Sequence, residues 1–172
     1  MNSSRKAKGE DEVIFVTVGT HEQQFNRLIS YVDKLDLSEE VVIQKGYSDY
    51  EPENCKSVKL LPYSKMTEYV ERARIVITHG GPSSIMMPLQ IGKIPVVVPR
   101  QKKFNEHVND HQLEFVKKIS ESGNIIPVYD IESLKDVISN YDLISAERTE
   151  IKSNNAEFNM RLEQIVRKMF NE

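Results

Sequence analysis

The stretch Arg74-Ile75-Val76-Ile77-Thr78-His79-Gly80-Gly81-Pro82-Ser83-Ser84 reads as an apolar strand, a glycine turn and the start of a helix. Glycines let the backbone approach a ligand without interference from a Cβ, and free N–H groups at a helix start favour phosphate. Glycine turns of this kind also arise for steric reasons alone. The pattern is neither G-x-G-x-x-G nor G-x-x-x-x-G-K-[ST], so NAD and ATP are not the ligands it suggests.

Working outward, short apolar runs alternate with helical patterns. Strands are expected at 13–18, 41–43, 58–61, 75–78, 94–98 and 125–129, with helices at 24–35 and 64–73. This alternation predicts an α/β, Rossmann-like parallel sheet. At 172 residues the chain suits one domain. Residues 1–12, polar throughout, are expected to form a disordered tail before a domain over 13–145.

A net charge of −3, from 23 basic and 26 acidic side chains, gives no broad cationic field, so no nucleic acid partner is expected. The single cysteine, Cys55, excludes an internal disulfide or a cysteine-cluster metal site and fits a reducing, cytoplasmic setting. No apolar run approaches the ~20 residues that span a bilayer, so membrane attachment is expected through a partner.

In a Rossmann-like sheet, ligands sit beyond the carboxyl ends of the strands. Three loops converge there: Gly19-Thr20-His21-Glu22-Gln23-Gln24, the turn at 79–84, and the segment 99–112. The third mixes Arg100, Lys102 and Lys103 with Asn105, Glu106, Asp110, His111 and Gln112, the donors and acceptors that a hydroxyl-rich ligand needs. His107 and His111 are spaced as a zinc pair on a helix. Without the glutamate of H-E-x-x-H, the alternatives are a helix start capped by Asn105 or Glu106, or ligand recognition, and no metal is assigned.

Four motifs occur in one order: 16–20 (Val-Thr-Val-Gly-Thr), 79–84 (His-Gly-Gly-Pro-Ser-Ser), 92–100 (Gly-Lys-Ile-Pro-Val-Val-Val-Pro-Arg) and 106–112 (Glu-His-Val-Asn-Asp-His-Gln). In this the chain resembles the carboxyl-terminal domain of glycosyltransferase family 28, over nearly all of 13–138. It is similar in particular to small bacterial capsule and exopolysaccharide galactosyltransferases, relatives of the catalytic subunit of the eukaryotic dolichol-linked N-acetylglucosaminyltransferase.

The resemblance implies one half of a GT-B fold that holds a UDP-sugar as substrate, with no cofactor. It implies a membrane-anchored partner subunit carrying the acceptor side, and a lipid-linked saccharide acceptor at the inner face of the cell membrane. It places Gly19 and Thr20 on the diphosphate, and His79, Gly80, Gly81, Ser83 and Ser84 beside pyrophosphate and ribose. Arg100, Glu106, Asp110, His111 and Gln112 fall towards the donor. One departure stands out: Met87 occupies the position where many such enzymes hold ribose with a glutamate, which leaves backbone or Glu106 for that task.

The implied chemistry is inverting transfer, in which an acceptor hydroxyl attacks the anomeric carbon and UDP leaves. Helix N-terminal amides and cations such as Arg100 or Lys102 are expected to stabilise the leaving diphosphate. The catalytic base is assigned to His21 or His107, or to the other half. The segment 146–172 shows an apolar helical stripe, Phe158, Leu162, Ile165, Val166, Met169 and Phe170, that packs on its own domain or docks the partner. Two other functions fit the sequence: an accessory subunit that enhances a partner's transfer, and, less well at this length, a nucleotide-sugar epimerase.

Overall fold

The computed structural model describes residues 12–150 and 155–170. The expected tail at 1–12 lies, but for Glu12, outside the described residues. Six parallel strands form one sheet in the order β3-β2-β1-β4-β5-β6: β1 (Val13–Thr17), β2 (Glu40–Gln44), β3 (Lys56–Val58), β4 (Ala73–Thr78), β5 (Val96–Val97) and β6 (Ile126–Pro127). The helices are α1 (Asn26–Asp33), α2 (Tyr63–Arg72), α3 (Pro82–Gln90), α4 (His111–Ser120), α5 (Leu134–Ser139), α6 (Tyr141–Glu150) and α7 (Asn155–Phe170).

Strict alternation along the strands divides the core between the two faces of the sheet. Ile14, Val16, Ile75, Ile77, Val96 and Ile126 face one side, where Leu28, Ile29 and Val32 of α1 and Leu134 and Ile138 of α5 cover them. Val13, Phe15 and Val76 face the other, under Val70 of α2. Farther along that face, Val97 meets Ile85 of α3, Phe115, Val116 and Ile119 of α4, and Leu162 of α7. Both faces are covered, as a parallel sheet requires.

Three expected strands shorten or shift for identifiable reasons. The third pairs over Lys56–Val58 and stops before Leu60, Leu61 and Pro62, because Pro62 caps α2 and turns the chain. Pro95 and Pro99 bracket the fifth, which is reduced to Val96–Val97. In the sixth, Ile126 and Val128 donate to Pro95 and Val97 carbonyls, while Pro127 between them has no N–H for the open edge.

Two tethers fix the end of the sheet away from the site. The Asp33 carboxylate, buried at the end of α1, accepts from the Tyr50 hydroxyl and from the N–H groups of Glu53, Asn54 and Cys55, each at 2.9 Å. Burial pushes the Cys55 thiol up to about 12, so it is held as an inert thiol. Lys93 reaches across from the loop after α3, and its Nζ caps the carbonyls of Val70, Glu71 and Ala73 at the end of α2.

The helix expected from residue 146 is described over two stretches, α6, which already starts at Tyr141, and α7, and residues 151–154 between them lie outside the described residues. The Tyr141 hydroxyl donates to the Ile94 carbonyl at 2.7 Å. Leu162 is 1% exposed, with Ile165 and Val166 packed beside it, so α7 covers its own domain. The side chains of Phe158, Met169 and Phe170 lie outside the described ones. Replacing Leu162 by alanine is expected to lower unfolding free energy by about 2–4 kcal/mol in a urea titration. A loss below about 0.5 kcal/mol, the level of an ordinary surface substitution, would show α7 to be detached in solution.

Candidate functional site

The strand order reverses between β1 and β4, whose ends are aligned with Thr17 opposite Thr78. Loops leaving the carboxyl ends of these strands diverge, and ligands bind in the crevice so formed. A pocket of about 320 Å³ opens there. Thr17, Gly19, Thr20, His79, Ser83 and Ser84 form its polar side, and Leu61, Tyr63, Met66 and Met87 its apolar side.

The glycines serve close approach. Gly19 has φ +77°, and a Cβ on it would lie 2.5 Å from His79 Cε1. A Cβ on Gly81 would lie 2.4 Å from His79 Nε2. The imidazole of His79 is therefore wedged between two loop backbones. Gly80 admits α4, since a Cβ there would stand 3.0 Å from Gln112 Cβ and from Val116 Cγ2. The sequence reading had these glycines approach a ligand; in the structure it is a side chain and a helix that they admit.

Gly81 is the N-cap of α3 and Pro82 its first residue, a position that costs no hydrogen bond. Ser83 and Ser84 lie in the first turn, where backbone N–H groups lack intrahelical acceptors. The helix ends two residues beyond Pro88. Met87 faces the pocket from the third position after Ser84, and its thioether cannot serve sugar hydroxyls as a carboxylate would.

Arg100 and Glu106 are both fully buried, which corrects their assignment to a ligand. The Arg100 guanidinium donates to the carbonyls of Val18 (2.8 Å), Gln23 (2.8 Å), Gln24 (3.0 Å) and Glu106 (3.0 Å), and lies 4.9 Å from the Phe25 ring centre. It staples the loop after β1 to the loop after β5. Glu106 receives Arg27 in a fork at 2.7 and 3.0 Å and the Gln101 N–H at 3.0 Å, so both of its oxygens are engaged within the buried loop. Arg27 also stacks over Phe104, 4.6 Å from its ring centre.

Because Glu106 is committed to Arg27, Arg100 forms no ion pair among the described residues. Burial lowers its pKa to about 10, which leaves it charged at neutral pH. The nearby Glu106 carboxylate is paired with Arg27, so the three groups together leave one net positive charge beneath the crevice. Its effect reaches His79, whose pKa is pushed down to about 3, first by burial and then by the Arg100 charge. His79 Nδ1 is buried and finds no hydrogen-bond partner.

The remaining expected residues take different positions. Gln112 is nearly buried and accepts the Arg100 N–H at 3.3 Å, so it braces the loop. Asp110 accepts the Lys102 N–H at 2.9 Å. The helix starts only at His111, so His107 precedes it, in the loop after β5; the spacing expected for a zinc pair on one helix does not arise. Neither Asn105 nor Glu106 caps it: Asn105 is left-handed, with φ 55°, and Asp110 holds the N-cap position. Among the described residues no group of three or more His, Cys, Asp or Glu is placed to hold a metal ion.

His21 and His107 stack, with ring centres 4.8 Å apart. His21 Nδ1 accepts the Gln23 N–H at 3.2 Å, and His107 Nδ1 accepts the Asn109 N–H at 3.4 Å. A base needs a free nitrogen lone pair, and Nδ1 of each ring already accepts a backbone N–H.

Pocket residues missed in the sequence include Gln44, whose Oε1 accepts the Thr17 hydroxyl, and Tyr63, 74% exposed at the rim. Thr17 and Gln44 are register partners at the ends of adjacent strands, a pairing that a single sequence does not display.

Residues 13–168 match the glycosyltransferase family 28 C-terminal domain. The chain belongs to this family. Human "UDP-N-acetylglucosamine transferase subunit ALG13" is 31% identical over 125 residues, which is 65% of this chain and 10% of that protein. Among solved structures, the calicheamicin glycosyltransferase CalG4 superposes with a TM-score of 0.59 at 16% identity, covering 95% of this chain and 45% of that one. Acinetobacter baumannii MurG gives 0.54 at 16% identity, covering 93% and 50%. The family 28 domain here thus has the Rossmann-like fold of one half of a GT-B glycosyltransferase, and it spans half or less of each of these relatives.

Buried neutral His79 sets a pH dependence. The unfolded chain takes up the proton near pH 6.5, whereas the folded ring resists until about 3, so stability is lost as pH falls through that interval. Between pH 7.5 and 5, the wild type is expected to lose more stability than His79→Gln in parallel urea titrations. Equal losses would refute a buried neutral His79.

Proposed function

We propose that this family 28 domain is the donor-binding, catalytic subunit of a split inverting glycosyltransferase. It takes a sugar, galactose in this reading, from a UDP-sugar and passes it to a polyprenyl-diphosphate-linked saccharide in capsule or exopolysaccharide synthesis. The observation that carries the proposal is the unbalanced positive charge beneath the switch-point crevice, from Arg100, combined with the α3 N-terminus at the pocket wall. A nucleotide diphosphate supplies the missing negative charge. The apolar wall of Leu61, Met66 and Met87 offers a surface for the flat base.

In this reading the acceptor hydroxyl attacks the anomeric carbon from the face opposite the diphosphate, and UDP leaves with the bonding electrons. Amides of the first turn of α3 stabilise the charge that grows on the departing oxygen. With His21 and His107 both engaged at Nδ1, the base belongs to the partner half. That half, membrane-anchored in our proposal, also holds the lipid-linked acceptor at the cytoplasmic face. No described helix is long and apolar enough to cross a membrane. The likeness to the human UDP-N-acetylglucosamine transferase subunit supports both the UDP-sugar and the subunit role.

The test is transfer from radiolabelled UDP-galactose, UDP-glucose and UDP-N-acetylglucosamine to lipid-linked acceptors in membranes, with and without the membrane partner. Transfer of one sugar that rises at least tenfold with the partner is expected. If the partner transfers equally well alone, or this chain is needed yet binds no UDP, the subunit is an accessory one.

A further inference from the structure

We propose that the cavity framed by α1, α4 and the loops after β5 and β6 binds a phosphate or diphosphate ester of an apolar chain, at a site separate from the donor crevice. Its volume is about 630 Å³, within the roughly 300–1,000 Å³ of small-molecule sites. It shares no lining residue with the crevice at the ends of β1 and β4. Gln101 and Tyr129, on its wall, come from loops that leave the carboxyl ends of β5 and β6, the two strands beyond β4. With about 4.8 Å between strands, the cavity lies on the order of 10 Å along the sheet from the switch point.

Three cations reach the cavity from three elements. Arg27, in the first turn of α1, is anchored through Nε and Nη2 to Glu106 and to the Pro99 carbonyl, which leaves Nη1 without a partner among the described residues. That nitrogen is not one of the buried orphans, Gln23 Oε1, His79 Nδ1 and Arg100 Nε, so it meets open space, and the space that Arg27 lines is this cavity. Lys103, from the loop after β5, rests its Nζ 4.8 Å from the Phe104 ring centre. Lys117 comes from the last turn of α4. Neither lysine forms an ion pair among the described residues. The Asp130 carboxylate also lines the cavity, where it accepts the Glu132 N–H at 3.2 Å. With Arg27 matched by Glu106, the two lysines against Asp130 leave one net positive charge.

The rest of the wall is largely apolar. Phe104 and Tyr129, 42% and 37% exposed, line it beside Leu113 and Ile131. A carboxylate offers two oxygens in one plane, whereas a terminal phosphate offers three, which suits donors that arrive from α1, α4 and a loop. An apolar chain on that phosphate covers the exposed rings. Inorganic phosphate leaves those rings wet, and a neutral chain leaves the cations unmatched. The polyprenyl diphosphate of the acceptor proposed above has this chemistry, and the cavity gives this domain its own hold on the diphosphate of the acceptor that the partner carries. That link rests on the transferase reading, and the site itself does not.

The test is calorimetry on the full chain with geranyl diphosphate, a soluble prenyl diphosphate, in saturating UDP so that the donor crevice is occupied. Geranyl diphosphate is expected to bind about tenfold or more tightly than inorganic pyrophosphate. Lys103→Met and Lys117→Met, which keep the stem and remove the charge, are each expected to weaken it roughly tenfold. Lys117→Met is expected to leave UDP binding unchanged. Competition with UDP, equal binding of pyrophosphate, or lysine variants that bind like wild type each overturn the site and leave the donor reading standing. A chain that binds geranyl diphosphate through the lysines but binds no UDP overturns the donor reading and leaves the site standing. Co-sedimentation with phosphatidylcholine vesicles then compares a polyprenyl phosphate with phosphatidylglycerol at equal phosphate content. Stronger recruitment by the polyprenyl phosphate, lost in Lys117→Met, ties the cavity to the acceptor lipid. Equal recruitment by both overturns that tie and assigns the cavity to phospholipid headgroups.

Discussion

Arg100 is the constraint on which the crevice depends. Its guanidinium gathers backbone carbonyls from the loop after β1 and from its own loop after β5, two segments about 80 positions apart in sequence. The cation is buried, so each carbonyl it satisfies would otherwise lack a partner, and a buried unpaired group costs on the order of 1–3 kcal/mol. Removing the side chain therefore releases both loops. Glu106 and Arg27 complete the brace as a separate, matched pair. With one carboxylate between two guanidinium groups, the brace keeps a net positive charge.

From this brace the rest of the site follows. With the two loops fixed, Gly19 and Gly81 close on the two sides of His79, and the ring cannot rotate without meeting backbone. Gly80 lets α4 in against the same turn, so one tripeptide controls a side chain, a helix start and a helix packing. The pocket is rigid on its polar side. On its apolar side it is lined by long, adaptable side chains, Met66 and Met87 among them.

Much of the fold was legible in the sequence, because hydrophobic alternation and apolar runs report strands directly. Six strands, their parallel arrangement and the position of the glycine turn could all be read there. Strand ends were less legible. Pro95, Pro99 and Pro127 are visible as residues, but how many ladder bonds they remove depends on which neighbour each strand meets. For the site, the three converging loops were legible, and the direction of individual side chains was not. Arg100 and Glu106 look like ligand groups in a list of polar residues, and burial alone shows that they hold loops. The hydrogen bonds that His21 and His107 accept come from backbone N–H groups two residues ahead, which spacing does not announce.

The two ends of the sheet have a bearing on how copies of this domain stay apart. An exposed strand edge invites pairing with another chain, and the fold keeps that risk small. Here one outer strand is two residues long and contains Pro127, and the other is three residues long and begins with Lys56. Neither offers a long, flat row of donors and acceptors. Edge-to-edge aggregation thus finds little purchase.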